Sequence, residues 1–98
     1  MNLTTKQNQH LRSLAHHIKP VVTIGNAGLT TAVMDEIQIA LNHHELIKIK
    51  IAGADKSTRE QYIRDISTKL ACHHVQSVGH VASFFKASKE GKIELSNK

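Results

Sequence analysis

Aromatic residues are scarce. Tyr62, Phe84 and Phe85 are the only ones in 98 residues, and tryptophan is absent. A sheet that binds nucleic acid by stacking bases on an exposed aromatic platform is thereby excluded. A single cysteine, Cys72, rules out an internal disulfide. No apolar run approaches the ~20 residues that span a bilayer. The opening MNLTTKQNQH has no basic stretch followed by an apolar one, so no signal peptide is expected, and the natural setting is soluble, reducing and cytoplasmic. Acidic residues are missing before Asp35, where Lys6, Arg12, Lys19 and three histidines occur. The formal charge of +5 is therefore concentrated at the two ends, because residues 35–85 balance and four lysines face two glutamates from Lys86 onward. A polyanion is the simplest partner for such a distribution, although a surplus serving only solubility accounts for it equally.

What is present fits one domain over residues 1–98, with a basic, polar tail from about residue 87. A chain of this size buries roughly 60–70% of its unfolded surface, enough for one modest core. Thr4 and Gln7 have capping-box spacing, and Leu11, Leu14, Ala15 and Ile18 follow at helical intervals, which predicts a helix from about Thr4 to His17 that Pro20 cannot continue. PVVTI reads as a short buried strand. Val33, Met34, Ile37, Ala40 and Leu41 trace one face of a second helix, ending near His43. In ELIKIKI, Ile47, Ile49 and Ile51 alternate with Lys48 and Lys50, so one strand face is apolar and the other partly wet. Ser57 with Glu60 predicts another capping box, opening a third helix through Tyr62, Ile63, Ile66, Leu70 and Ala71. VQSV and VASFF are two strands joined at Gly79-His80, with one of Phe84 and Phe85 in the core and the other on the outer face.

The order, a helix then β-α-β-α-β-β, predicts an α/β fold with a mixed four-stranded sheet. Its strand–helix–strand units favour parallel strands with right-handed crossovers. Parallel first strands bring three things to one sheet edge: the turn at Gly25–Gly28, the starts of the second and third helices, and the Gly79-His80 turn. Ligands of open α/β sheets bind outside the carboxyl ends of the strands, and helix N-termini there suit phosphate.

The stretch Gly25-Asn26-Ala27-Gly28 allows two readings. Glycines let backbone N–H groups approach a phosphate with no Cβ in the way. They also simply permit a strand-to-helix turn, and an isolated G-x-x-G is more often that. No Lys-Ser/Thr follows, so this is no Walker loop, and the third glycine of a dinucleotide fingerprint is missing. The pairs His16-His17, His43-His44 and His73-His74 close predicted helices, where partial positive charge suits the dipole. Adjacent helical residues point apart, so no metal site is expected and no cofactor either. Asp35 and Glu36 are expected in a first helical turn, and Cys72 beside a helix end reads as structural. No catalytic constellation emerges, and an enzyme is not expected.

The segments LTTKQNQHLRSLAH, KPVVTIGNAGLT, HHELIKIKI and the VGH…FFK hairpin together resemble the CRM domain (chloroplast RNA splicing and ribosome maturation), in its stand-alone bacterial YhbY-type form. The resemblance covers nearly the whole chain. It implies a fold similar to the C-terminal domain of translation initiation factor 3. It also implies RNA binding through the loop Gly25, Asn26, Ala27, Gly28, with Leu29 and Thr30 opening the next helix, and association with large (50S) ribosomal subunit precursors. Lys48 and Lys50 match the family's basic strand. Lys56, Arg59 and Lys86 supply further positive charge, and Phe85-Lys86 stands where Tyr-Arg is expected. The loop interior lacks a lysine often found there, which favours a clamp led by backbone groups. The alternative is a protein-interaction module docking on ribosomal proteins or translation factors.

Overall fold

A computed structural model describes residues 3–88 and Ile93. Its elements run α1 (Thr5–Ala15), β1 (Pro20–Ile24), α2 (Thr31–His44), β2 (Leu46–Ile51), α3 (Lys56–Lys69), β3 (His73–Val78) and β4 (Val81–Phe85). The expected order is thus found. The sheet order is β1-β2-β4-β3. β1 and β2 are parallel, and β4 runs antiparallel to both β2 and β3. The first three strands therefore share one direction, but β4 lies between the second and third of them. The α3 crossover leaves a one-strand gap, and the hairpin folds back to fill it.

The cap at α1 forms as its spacing predicts. Thr4 Oγ1 accepts from the Gln7 N–H at 3.1 Å, and Gln7 Oε1 accepts from the Thr4 N–H at 2.9 Å. The cap of α3 differs from expectation. Asp55, not Ser57, stands at the extended N-cap position and accepts from the Thr58 N–H at 2.8 Å. An aspartate is as good a cap as a serine, and it arrives two residues earlier in the chain. Ser57 is left inside the first turn. Asp35 and Glu36 lie beyond the first turn of α2, which holds no acid.

Two apolar clusters cover the two faces of the sheet. On one face Val22, Ile24, Ile47, Ile49, Ile51 and Phe84 pack against Ile37 and Leu41 of α2 and Ile66 of α3. On the other, Leu11 and Ala15 of α1 meet Leu46, Val75 and Phe85, with Ile93 against them. Phe84 and Phe85 are both 0% exposed. The expectation of one outward phenylalanine is corrected for this reason: β4 is an inner strand with helices on both faces. Alternation still sends the two rings to opposite sides, yet each side is a core.

The third histidine pair also departs from expectation, because His73 and His74 begin β3 rather than end a helix. His73 Nε2 lies 2.8 Å from Asn8 Oδ1, and His74 Nε2 lies 2.8 Å from Ser77 Oγ. Burial pushes both imidazoles below the usual histidine range, and for His74 the adjacent His73 adds to that. The folded state thus prefers them neutral. Stability from this source is present above pH ~6.5 and is lost as pH falls below it, since the unfolded chain then binds more protons. Urea unfolding at pH 7.5 and 5.5 should give the lower midpoint at 5.5, and His73→Asn with His74→Gln should narrow that gap. Cys72 is half-buried, and burial raises its thiol to about 11, so it is protonated and unreactive at neutral pH.

Candidate nucleic-acid interface

The carboxyl ends of β1, β2 and β3 form one edge of the sheet, and the expected residues gather there in part. Beyond β1, the N–H of Gly28 donates to Gly25 O at 3.0 Å, closing a four-residue turn around Asn26 and Ala27. Gly28 has φ +77°, and a Cβ there would lie 3.0 Å from Tyr62 Oη. This glycine is therefore required by the turn and by the phenol of α3 beneath it. Gly25 has no left-handed torsion, and a Cβ built on it meets nothing within 4 Å. The two glycines thus answer different demands. Gly28 serves the fold, whereas nothing in the fold asks for Gly25.

Asn26 and Ala27 are exposed at the tip. The neighbouring loop after β2 is close, since a Cβ on Gly53 would be 3.4 Å from Asn26 Oδ1. Leu29 packs against the core, and the Thr30 hydroxyl caps α2 by accepting from the Val33 N–H at 3.1 Å. These two residues fix the loop with side chains already engaged in the fold. The two helix N-termini at this edge differ in electrostatics. Asp55 places a carboxylate at the positive end of α3, and its bonds to Thr58 hold its pKa below the usual aspartate value. The cap of α2 is a neutral hydroxyl, so its dipole remains uncompensated by any acid in the first turn.

Lys48 and Lys50 alternate with the buried isoleucines and so lie on the α1 side of the sheet, past the end of that helix. Lys50 pairs with Thr23, two residues before Gly25, which brings it to the rim of the loop. Lys48 lies further back, in a shallow depression of about 220 Å³ shared with His16, Gln76 and Ser83. On the other layer, Lys56 and Arg59 rise from the start of α3. Arg59 Nη1 donates to Ala54 O at 2.8 Å and lies 3.4 Å from His80 Nδ1. The guanidinium therefore ties the loop after β2 to the hairpin turn.

Two expected site residues are not brought to this edge. β4 runs against β2, and Phe85 pairs with Leu46 and His73, the first residues of β2 and β3. Lys86 follows it and donates its N–H to Glu45 O at 2.9 Å. Lys86 thus belongs to the opposite end of the strands, roughly 17 Å away at ~3.3 Å per residue. Phe85 is wholly buried under α1, where it packs the core and presents no surface to a ligand. Arg64, beside Lys56 and Arg59 on α3, is a residue that the sequence reading did not single out. Lys56, Glu60 and Arg64 recur every four residues, and that spacing was the available signal for a shared face of α3.

Among the described residues, no group of three or more His, Cys, Asp or Glu side chains is placed to hold a metal ion. No helix among them is long and apolar enough to cross a membrane. A sheet edge with exposed turns, a helix N-terminus with no acid in its first turn and cations on both layers has the geometry of an α/β module suited to anions. The chain belongs to the CRS1/YhbY (CRM) domain family, whose model matches residues 3–86. It is 49% identical over 96 residues to a Haemophilus influenzae protein named "RNA-binding protein", covering 98% of this chain and 97% of that one. It is 33% identical over 94 residues to the Bacillus subtilis "Probable RNA-binding protein YqeI", covering 95% of this chain and 98% of the relative. A Staphylococcus aureus protein solved in solution as a candidate RNA-binding protein superposes with a TM-score of 0.83 at 33% identity, over 97% of this chain and all of that one.

Proposed function

We propose that this chain is a non-enzymatic, cytoplasmic RNA-binding protein that acts on precursors of the large ribosomal subunit. One observation carries the RNA reading: the Gly25–Gly28 turn, the start of α2, Lys50, Lys56 and Arg59 converge on a single sheet edge. Backbone phosphates contact the turn and the α2 terminus, and the four cations Lys48, Lys50, Lys56 and Arg59 frame them. The relatives' names support RNA as the ligand, and the family resemblance supports the ribosomal setting. Phosphate contact releases counterions, so affinity falls linearly with salt on a log–log scale. Four such contacts predict a slope of about −3 for an RNA hairpin measured by anisotropy, at ~0.7–0.9 per contact. Lys48→Ala with Lys50→Ala should flatten it by about 1.5. A flat dependence would instead support a module that docks on proteins. Crosslinking in cells followed by sequencing tests the finer reading. Crosslinks concentrated in large-subunit ribosomal RNA are expected, and crosslinks spread evenly over unrelated transcripts would overturn it.

A further inference from the structure

Next to the proposed phosphate edge lies a cleft that phosphate contact does not use. It opens between α3 and the β3–β4 hairpin, with a volume of about 360 Å³, within the ~300–1,000 Å³ range of small-molecule clefts. Its apolar lining comes from Ile51, Ile63 and Ala82, and its cationic rim from Lys56, Arg59 and Arg64. Glu60 is the one carboxylate among its lining residues. His80 stands at the hairpin turn with Arg59 Nη1 3.4 Å from its ring. Two planar groups, an imidazole and a guanidinium, thus flank an apolar floor.

We propose that this cleft receives a single unstacked base of RNA, extruded from a bulge or loop, while the adjoining phosphates lie on Lys56 and Arg64. The proposal rests on the RNA reading above. Charge complementarity selects the occupant: three cations against one carboxylate suit a ligand with an apolar, planar body and an anionic tether. A nucleotide within a strand is such a ligand. Bases stack on histidine rings and on guanidinium planes as well as on phenylalanine or tyrosine. The scarcity of exposed aromatic residues therefore does not prevent base recognition here. It confines recognition to one cleft instead of a whole sheet face. The positions also suit a divided task, since the Gly25–Gly28 turn holds backbone and the cleft, across the loop after β2, holds a base.

The test uses the full chain and three RNA hairpins of equal length at ~150 mM salt, where unspecific phosphate binding is already weakened. The first is fully paired, the second carries one bulged 2-aminopurine, and the third carries an abasic bulge with the same phosphates. The bulged hairpin should bind about tenfold more tightly than the abasic one, the order that one stacked base contributes, with a change in 2-aminopurine emission. His80→Ala should abolish the difference between those two RNAs, and circular dichroism would confirm that the variant is folded. Equal affinity of the wild-type chain for all three, with steep salt dependence retained, overturns the base cleft and leaves the RNA reading intact. Absence of binding to any of them at ~50 mM salt overturns both. An acidic peptide that displaces 2-aminopurine RNA from the cleft only when Glu60 is removed would support the charge logic of the rim. Displacement of that RNA by the same peptide from the wild-type chain, with no preference for the bulge, would assign the cleft to protein.

Discussion

Glu45→Ala should lower the stability of the fold by about 3 kcal/mol, the scale of breaking a buried charged hydrogen-bond cluster. Glu45 is fully buried between α2 and β2. Its carboxylate accepts from the Ser88 N–H at 2.6 Å, from the Ser88 hydroxyl, and from the Ile93 N–H at 2.7 Å. Its own carbonyl takes the Lys86 N–H. One residue thus fastens the chain beyond β4 to the body of the protein and seats Ile93 over the α1 cluster. At an m-value of about 1.5 kcal/mol/M the urea midpoint should fall by about 2 M. Limited proteolysis should become faster near Ser88. The backbone at Glu45 adds a second, separable expectation. Its φ of 64° and ψ of −47° fall in the strained γ-turn region, which costs roughly 1–3 kcal/mol for a residue with a Cβ. Glu45→Gly removes the carboxylate but also relieves that strain, so it should lose about 1 kcal/mol less than Glu45→Ala. Equal losses would mean that the clasp holds no strained backbone.

This clasp also marks where the sequence stops being legible. In HHELIKIKI nothing local marks the glutamate as buried, because its partners Ser88 and Ile93 come 43 and 48 residues later in the chain. Alternation in β2 could be read directly, since each isoleucine reports its own face through a period of two. Phe84 and Phe85 carry the same alternation, yet their burial depends on β4 entering the middle of the sheet and on α1 covering its second face. Neither is a local property. The position of Lys86 was lost for the same reason, because strand direction decides at which end of the sheet a charge emerges. The cap of α3 failed more narrowly: two good caps, Asp55 and Ser57, lie two residues apart, and propensity ranks them alike.

The loop glycines supply the sharpest test, because the structure assigns them unlike roles that spacing alone could not separate. Gly28→Ala should destabilise the fold by about 1–2 kcal/mol, through the positive torsion and through the Cβ that would press on Tyr62 Oη at 3.0 Å. Tyr62→Phe should return the steric part of that loss and leave the torsional part. Gly25→Ala should change stability by less than ~0.5 kcal/mol, as expected of a surface site without special geometry. Gly25→Glu should likewise leave the melting temperature almost unchanged. It should nevertheless weaken RNA binding at least tenfold, or ~1.4 kcal/mol, at ~150 mM salt. The added carboxylate would stand where the turn is proposed to meet phosphate, in front of the α2 N-terminus, whose first turn holds no acid. The comparison is decisive because stability and binding move apart. A charge at Gly28 lowers both together and cannot tell a broken turn from a blocked contact. A charge at Gly25 meets open space on the protein's side, so any loss of affinity has to arise on the ligand's side. Full affinity in the folded Gly25→Glu protein would reduce the stretch from Ile24 to Thr30 to a strand-to-helix connection, and the phosphate contacts would then have to be sought on Lys48, Lys50, Lys56 and Arg59 alone.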